Sequence, residues 1–253
     1  MIPKIIHYCW LSDAPVPEEL LGYMATWRNV LPDYEFVKWD FSRFDKNSSV
    51  WVQEAFENKK YAFAADYIRM YALYTMGGIY LDMDVEVLKS FNDLLNYEYF
   101  VCWQNSKPLV PEVAAFGTTK GCEWVGRVLS YYKDRHFVDH SGTFDTKTLP
   151  SITRDVLSDS GYNFVNIETI ADLALGGKKD LLILPDEYFS PKSYQTGKIS
   201  KTNNTYCIHQ FSGSWLPWEQ RLEMKIWHLL GLQSHLVTRR VERWLGRIFH
   251  FTR

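Results

Sequence analysis

The stretch from Ala65 to Val85 constrains the fold more than any other part of the chain. Its first part contains no proline and ends in the pair Gly77-Gly78, which is the sequence expected of a helix closed by a left-handed cap. From Ile79 onward apolar and polar residues alternate, and this alternation predicts a strand. The sequence therefore predicts a helix that leads through a tight turn into a strand with one apolar and one acidic face.

The acidic face of this strand is a candidate metal site. Asp82 and Asp84 are two residues apart, so on an extended chain both carboxylates project to the same side, where their oxygens can meet one hard divalent cation. Asp66 and Arg69 are spaced i, i+3 and share a helix face, which the glycine turn brings against the strand. A lone D-x-D occurs by chance, and a lone ion pair of this spacing is most often a solvated surface pair. Side by side, the four residues predict a functional site.

The combination A-D-x-x-R followed by G-G-x-Y-x-D-x-D resembles the signature of the DXD-containing sugar transferases, glycosyltransferase family 32 and its relatives. These include yeast mannosyltransferases, bacterial capsule enzymes and, more distantly, the glucosyltransferase domain of the large clostridial toxins. The resemblance implies an α/β fold of the GT-A type, which is Rossmann-like, with a mostly parallel central sheet flanked by helices.

The resemblance also implies roles for the acidic cluster. Asp84, His209 and Asp82 are expected to hold a divalent cation, Mn²⁺ or Mg²⁺, since neutral imidazole can ligate such an ion beside carboxylates. Asp82 is also expected to reach donor hydroxyls. Asp66 and Arg69 are expected to hold the donor sugar, with the guanidinium reaching the diphosphate, for which its charge and forked donors are suited. These four charged residues of the two motifs, Asp66, Arg69, Asp82 and Asp84, are the catalytic candidates.

Other candidate donor-binding residues lie in three further places. The opening I-P-K-I-I-H-Y-C-W is similar to the first strand of the family, whose terminal Trp, here Trp10, stacks on the nucleotide base in toxin-like members. Core packing is the alternative for Trp10, and a purely structural role is the alternative for His209. Ser214 and Trp215 follow the histidine as in the family, where they touch the donor diphosphate. Tyr80 shares the face of Asp82 and is expected to shape the donor pocket.

The order of elements around this site predicts a parallel α/β unit. A strand from Lys4 to Trp10, a helix from Glu18 to Val30 and a strand from Tyr34 to Trp39 follow one another. Ligands of such sheets bind at the carboxyl ends of the strands, where Trp10 lies. The polar residues 133–144 are expected to form a mobile loop over the site. We assign residues 1–220 to a GT-A glycosyltransferase domain and 221–253 to a helical, basic amphipathic tail.

Composition excludes several classes of protein. A formal net charge of -2 argues against a nucleic-acid partner, because a basic face would be the first requirement. The 4 cysteines contain no C-x-x-C pair, so neither a zinc site nor a disulfide framework is indicated. No apolar run is long enough for a membrane span, and the N-terminus does not resemble a signal peptide. The body is therefore expected to be cytoplasmic.

The tail from Leu236 to Arg253 has apolar residues at helical spacing and five arginines against one glutamate. Such a helix can lie in an anionic membrane interface, which would place the protein peripherally at the inner face of the cell membrane. The alternative is that its apolar stripe docks on the catalytic domain.

Taken together, these features and the resemblance predict a metal-dependent transferase, and the resemblance implies that transfer retains the anomeric configuration. The enzyme would move a hexose from a nucleotide-diphospho-sugar, a UDP-hexose by resemblance to the bacterial members, to a glycan or lipid-linked glycan acceptor. Synthesis of bacterial surface polysaccharide, such as a capsule, is the expected setting. The alternatives are a toxin-like protein glycosyltransferase, a non-catalytic sugar-binding module and a metal-dependent phosphoesterase.

Overall fold

The computed structural model describes residues 1–213 and 218–229. In this part of the chain the α-helices and strands follow one another as β1 (Ile5–Cys9), α1 (Glu18–Val30), β2 (Glu35–Trp39), α2 (Val50–Glu57), α3 (Tyr61–Met76), β3 (Gly78–Leu81), β4 (Val85–Val87), β5 (Tyr99–Phe100), β6 (Ala115–Thr118), α4 (Glu123–Ser130), α5 (Leu149–Asp159), β7 (Asn163–Asn166), β8 (Asp180–Ile183), β9 (Cys207–His209) and α6 (Trp218–Leu229).

The central sheet has five strands in the order β2-β1-β3-β6-β5. β1 pairs in parallel with both β2 and β3, whereas β6 is antiparallel to its neighbours β3 and β5. β2, β1, β3 and β5 therefore run in one direction and β6 alone in this sheet runs in the other. Two small sheets, β4 with β9 and β7 with β8, complete the described part. The predicted α/β class with a mostly parallel central sheet is confirmed.

The hydrophobic core lies on both faces of this sheet. Tyr80 of β3 packs into one cluster together with Ile68 and Leu73 of α3. Its neighbours Ile79 and Leu81 point the other way, into a cluster that includes Trp27 of α1. Both faces of β3 are buried, as is usual for a central strand of an α/β sheet.

The prediction of one strand with an acidic face after Gly78 is wrong in two respects. First, the strand is broken: β3 and β4 belong to different sheets, and residues 82–84 between them form a turn closed by the amide of Val85 on the carbonyl of Asp82, at 3.0 Å. Second, Tyr80, predicted on the polar face, is only 1% exposed. Alternation of residue types could not reveal either feature, because both faces of β3 are covered.

The turn between α3 and β3 requires glycine. Gly77 and Gly78 have φ of 70° and 112°. A Cβ atom on Gly78 would lie 2.8 Å from the carbonyl oxygen of Ile5 and 2.9 Å from Nε2 of His7. The turn therefore sits directly against β1, where a side chain would displace backbone.

Residues 133–144 do not form the predicted loop over the site. Glu54 of α2 accepts hydrogen bonds from the backbone amides of Phe137 and Val138, at 2.8 and 3.0 Å. The buried ring of Phe137 packs against Trp51, with ring centroids 5.1 Å apart. This segment is therefore held against α2, and other segments line the cleft.

Two sequence predictions concern the C-terminus. Among the described residues no helix is both long and apolar enough to cross a membrane. The basic amphipathic helix predicted for residues 236–253 lies outside the described residues, and the division into domains at residue 220 falls within α6 and stays a prediction.

Candidate functional site

A cleft of about 580 Å³ opens at the carboxyl ends of β1 and β3. This is the edge at which ligands of α/β sheets are expected to bind. Its walls come from the end of β1, the first turns of α3, the turn after β3 and the chain around residues 104–114. The start of α5 and residues 209–213 complete them.

Three potential ligand groups for a cation meet in this cleft. Single ligand atoms of Asp82, Asp84 and His209 all lie within 4.8 Å of one another. The two aspartates reach this position because β3 ends at Leu81 and the chain turns. His209 joins them because β9 pairs with β4 in a register that puts it opposite Val85, next to Asp84. The structure thus brings together the three residues predicted as metal ligands.

Asp84 has one carboxylate oxygen fixed by the protein and one facing the other ligands. Its Oδ2 accepts hydrogen bonds from both the backbone amide and the hydroxyl of Ser212, each at 2.8 Å. Its Oδ1 lies 3.6 Å from Nε2 of His209. Since the side chain is buried, these contacts set the direction in which Oδ1 points.

Asp82 is held on the other side by Arg69. The guanidinium binds both of its carboxylate oxygens, with Nη2 3.1 Å from Oδ1 and Nη1 3.2 Å from Oδ2. Nη2 also lies 3.1 Å from Oδ1 of Asp66, and the hydroxyl of Tyr80 donates to Oδ1 of Asp82 at 3.0 Å. The predicted neighbourhood of Asp66, Arg69 and Asp82 is therefore present.

Arg69 is buried, and its guanidinium already has partners within the protein. It is 6% exposed, and its guanidinium carbon lies 4.6 Å from the centre of the Tyr80 ring. Nη1 also donates to the carbonyl of Val113 at 2.9 Å. In this structure the guanidinium forms ion pairs with Asp66 and Asp82. A direct contact with a donor diphosphate stays a prediction.

Burial and mutual charge shift the pKa values of these groups. Burial raises the pKa of Asp66 to about 7 against the opposing effect of Arg69, and it raises the pKa of Asp82 in the same way. Burial disfavours the charged form of His209, but the carboxylates of Glu112 and Asp84 outweigh this and raise its pKa to about 9. The carboxylates of Glu112 and Asp84 therefore favour the protonated form of the His209 imidazole.

The chemistry of this group of residues fits a divalent cation. Carboxylate oxygens are the ligands that Mg²⁺ and Mn²⁺ prefer, and imidazole is accepted by Mn²⁺. The raised pKa of the histidine shows that the pocket stabilises positive charge. The identity of the ion stays a prediction.

Two residues of the site were not predicted from the sequence. Glu112 is 1% exposed, and its Oε2 lies 3.1 Å from Nδ1 of His209. Ser212 donates two hydrogen bonds to Asp84 from its backbone amide and its hydroxyl. An acidic residue inside the apolar run Val110-Pro111-Glu112-Val113-Ala114 was a signal for Glu112, because a carboxylate in such a run must be buried with a partner.

The remaining predicted donor-binding residues are partly accounted for. Trp10 and Tyr80 line the cleft, and the indole nitrogen of Trp10 donates to the carbonyl of Ala14 at 2.9 Å. Trp10 is half-buried, so part of its ring remains accessible from the cleft. Ser214 and Trp215 lie outside the described residues.

Comparison with known proteins places these features in a family context. Residues 17–101 match the family described as "Glycosyltransferase sugar-binding region containing DXD motif". This region includes Asp66, Arg69, Asp82 and Asp84. Over these residues the chain is similar to the DXD-containing sugar transferases, as the sequence predicts.

The curated relatives include two yeast proteins. The chain is 35% identical over 104 residues to inositol phosphoceramide mannosyltransferase 3 of Schizosaccharomyces pombe, a match that covers 40% of this chain and 29% of that protein. It is 26% identical over 257 residues to the initiation-specific alpha-1,6-mannosyltransferase of the same organism, covering 85% of this chain and 64% of that protein. The chain thus spans less than a third of the first of these relatives.

Among solved structures, the PaToxG glycosyltransferase is similar to this chain with a TM-score of 0.47 and 16% sequence identity. The match covers 63% of this chain and 70% of the PaToxG chain.

Proposed function

We propose that the protein transfers a hexose from a nucleotide-diphospho-sugar to a glycan acceptor. The observation that carries this proposal is the convergence of Asp82, Asp84 and His209 in a cleft, within a chain that matches the DXD-containing sugar-binding region. A phosphoesterase or a non-catalytic sugar-binding module receives no separate support from the described residues.

In this proposal the chain binds and orients the donor. A divalent cation held by Asp84, Asp82 and His209 would supply Lewis-acid neutralisation of the charge that develops on the leaving diphosphate. Asp66 and Asp82, both directed by Arg69, would accept hydrogen bonds from hydroxyls of the donor sugar. Trp10 would stack on the base at the far wall of the cleft.

The donor nucleotide and sugar are finer points of the proposal. A UDP-hexose is our prediction from the resemblance to bacterial enzymes. The relatives named above are called mannosyltransferases, which favours testing GDP-mannose beside the UDP-sugars. The rate at which each donor releases its nucleoside diphosphate, with Mn²⁺ or Mg²⁺ present, identifies the preferred donor.

The acceptor and the cellular setting are also proposals. A glycan or lipid-linked glycan acceptor, surface polysaccharide synthesis and a cytoplasmic location at the inner face of the membrane remain our predictions. The name of the relative that acts on inositol phosphoceramide supports including glycolipids in an acceptor panel.

The central test is a substitution at Asp84. Asp84→Asn keeps an oxygen that can accept a hydrogen bond from Ser212 but removes the negative charge, whereas Asp84→Ala would leave the backbone amide of Ser212 without this acceptor. We expect donor turnover to fall at least about 100-fold, by analogy with the loss of one transition-state stabilising group, while thermal unfolding changes little.

The matched control is Asp159→Asn, which changes an exposed aspartate at the end of α5, outside the cleft lining. It should transfer sugar at the wild-type rate. Full activity of Asp84→Asn, or undiminished activity of the wild-type protein in EDTA, would contradict the proposal.

We also propose that transfer retains the anomeric configuration, as the resemblance to the DXD-containing sugar transferases implies. The carboxylates nearest the site are engaged by Arg69, Ser212 or His209, so none of Asp66, Asp82, Asp84 and Glu112 stands out as a free nucleophile for a double displacement. For a retaining enzyme without such a nucleophile, departure and attack on one face of the sugar is the expected course. Proton NMR of the first-formed product measures the configuration, and an inverted linkage would refute the proposal.

A further inference from the structure

Glu112 is a buried carboxylate that contacts the histidine of the candidate cation site. It is 1% exposed, and its own amide donates to the carbonyl of Cys102 at 2.8 Å. Oε1 accepts from the backbone amide of Ala114 at 2.9 Å, and Oε2 lies 3.1 Å from Nδ1 of His209. Burying a carboxylate to this degree costs free energy unless the group is paired and hydrogen-bonded. Its contacts with Ala114 and His209 meet this requirement.

The backbone next to Glu112 contacts two other residues of the site, Arg69 and Asp82. The carbonyl of Val113 accepts from Arg69 at 2.9 Å, and the carbonyl of Ala114 accepts from the amide of Asp82 at 2.8 Å. The segment 112–114 therefore contacts Arg69, Asp82 and His209. Displacement of this segment would move both the arginine-bound aspartate and the histidine.

The contact with Nδ1 determines which histidine nitrogen can bind a cation. An ionised carboxylate only accepts hydrogen bonds, so Nδ1 of His209 must carry a proton to donate to Oε2. In the neutral imidazole the lone pair is then on Nε2, the nitrogen that lies 3.6 Å from Oδ1 of Asp84. The ring is thereby both oriented and placed in the tautomer that a metal ligand needs.

We infer that Glu112 is the positioning residue of the cation site, setting the tautomer and direction of His209 through the hydrogen bond to Nδ1. This inference rests on the cation site of the proposed function. Partners of this kind on metal-bound histidines typically contribute 10-fold to 100-fold, roughly, in metal affinity.

The test measures Mn²⁺ binding by the full chain without any sugar donor. Glu112→Gln keeps the size of the side chain, but its amide can donate to Nδ1 and so favour the tautomer with the proton on Nε2. We expect Mn²⁺ to bind about 10-fold to 100-fold more weakly, measured by electron paramagnetic resonance of the free ion. The matched control, Glu123→Gln, changes an exposed glutamate that pairs with Lys179 and should bind Mn²⁺ like the wild-type protein.

The outcomes separate this inference from the proposed function. If Glu112→Gln binds Mn²⁺ as tightly as the wild-type protein while Asp84→Asn does not, the cation site stands and the role of Glu112 is refuted. If the wild-type protein binds no Mn²⁺, or Asp84→Asn binds it equally well, the cation site fails and the inference fails with it.

A second measurement needs no substitution and so does not depend on the folding of a variant. With saturating Zn²⁺, which is diamagnetic and binds imidazole, ¹⁵N NMR of the wild-type protein should show His209 with a proton on Nδ1 and none on Nε2. The reverse pattern would overturn the inference.

Discussion

The buried histidine His7 is expected to make the stability of this fold depend on pH. It is 0% exposed, and both ring nitrogens are used. The indole nitrogen of Trp39 donates to Nδ1 at 3.0 Å, so Nε2 carries the proton and donates to the carbonyl of Gly77 at 2.8 Å. The neutral imidazole therefore joins β1, β2 and the turn after α3. Protonation would place a second donor on Nδ1, facing the indole N–H.

The sign and size of the effect follow from the pKa of His7, which burial lowers from 6.5 to about 4. Between these two values the unfolded chain binds a proton that the folded protein does not, so the stabilising effect of neutral His7 is present above pH 6.5 and is lost as the pH falls toward 4. A pKa difference of this size corresponds to about 3 kcal/mol in total, of which about 2 kcal/mol is lost between pH 7 and pH 5.

The assay compares the wild-type protein with His7→Gln by urea denaturation at several pH values in this range. Glutamine can still donate to Gly77 but has no proton to gain. At pH 7 the variant should be less stable by about 1 to 3 kcal/mol, because the indole N–H of Trp39 is left without its acceptor. Toward pH 5 its deficit should shrink by about 2 kcal/mol.

Comparing two proteins cancels the contribution of the other titrating groups, among them Asp66. His140→Gln, at an exposed position, controls for the loss of a histidine as such. If the free energies of unfolding of the wild-type protein and His7→Gln run parallel from pH 7 to pH 5, the argument is refuted.

Two further predictions concern the turn and the tail. Gly78→Ala should lower the free energy of unfolding by about 2 to 4 kcal/mol, from strain at positive φ and contact with Ile5. Gly161→Ala, at a φ of 76° with nothing within 4 Å, should cost only about 1 kcal/mol, and equal losses in chemical denaturation would contradict the steric argument. The segment from Leu236 to Arg253, which lies outside the described residues, is predicted to bind anionic membranes, so the full chain should co-sediment with anionic vesicles more than a form ending at Leu232. Equal partitioning would speak against a membrane role.

Elements defined by local signals were predictable from the sequence. The helix α1 runs from Glu18 to Val30 as predicted, since Pro17 can begin a helix but not continue one and apolar residues recur at helical spacing after it. β1 and β2 were placed within one residue, because their runs of apolar residues end in polar or proline-containing segments. The glycine turn was predictable because both glycines have positive φ, but Gly77, with φ of 70° and ψ of -175°, does not adopt the left-handed helical conformation of the predicted cap.

Features that depend on distant contacts were not predictable. The break after Leu81 arises because Val85 pairs with β9, more than 120 positions along the chain. The position of Glu112 is another example. Its partner His209 is 97 positions away, and nothing in the local pattern of residues connects them.

The most informative difference between sequence and structure lies in the two aspartates themselves. In the sequence Asp82 and Asp84 look equivalent, two acids on one face of a strand. In the structure both oxygens of Asp82 are bound by Arg69, whereas Asp84 keeps one oxygen directed at His209. Because the charge of the guanidinium already offsets that of Asp82, a cation would gain most from Asp84. The turn that breaks the strand separates the two environments, and the proposed cation site would therefore depend most on the charge of Asp84.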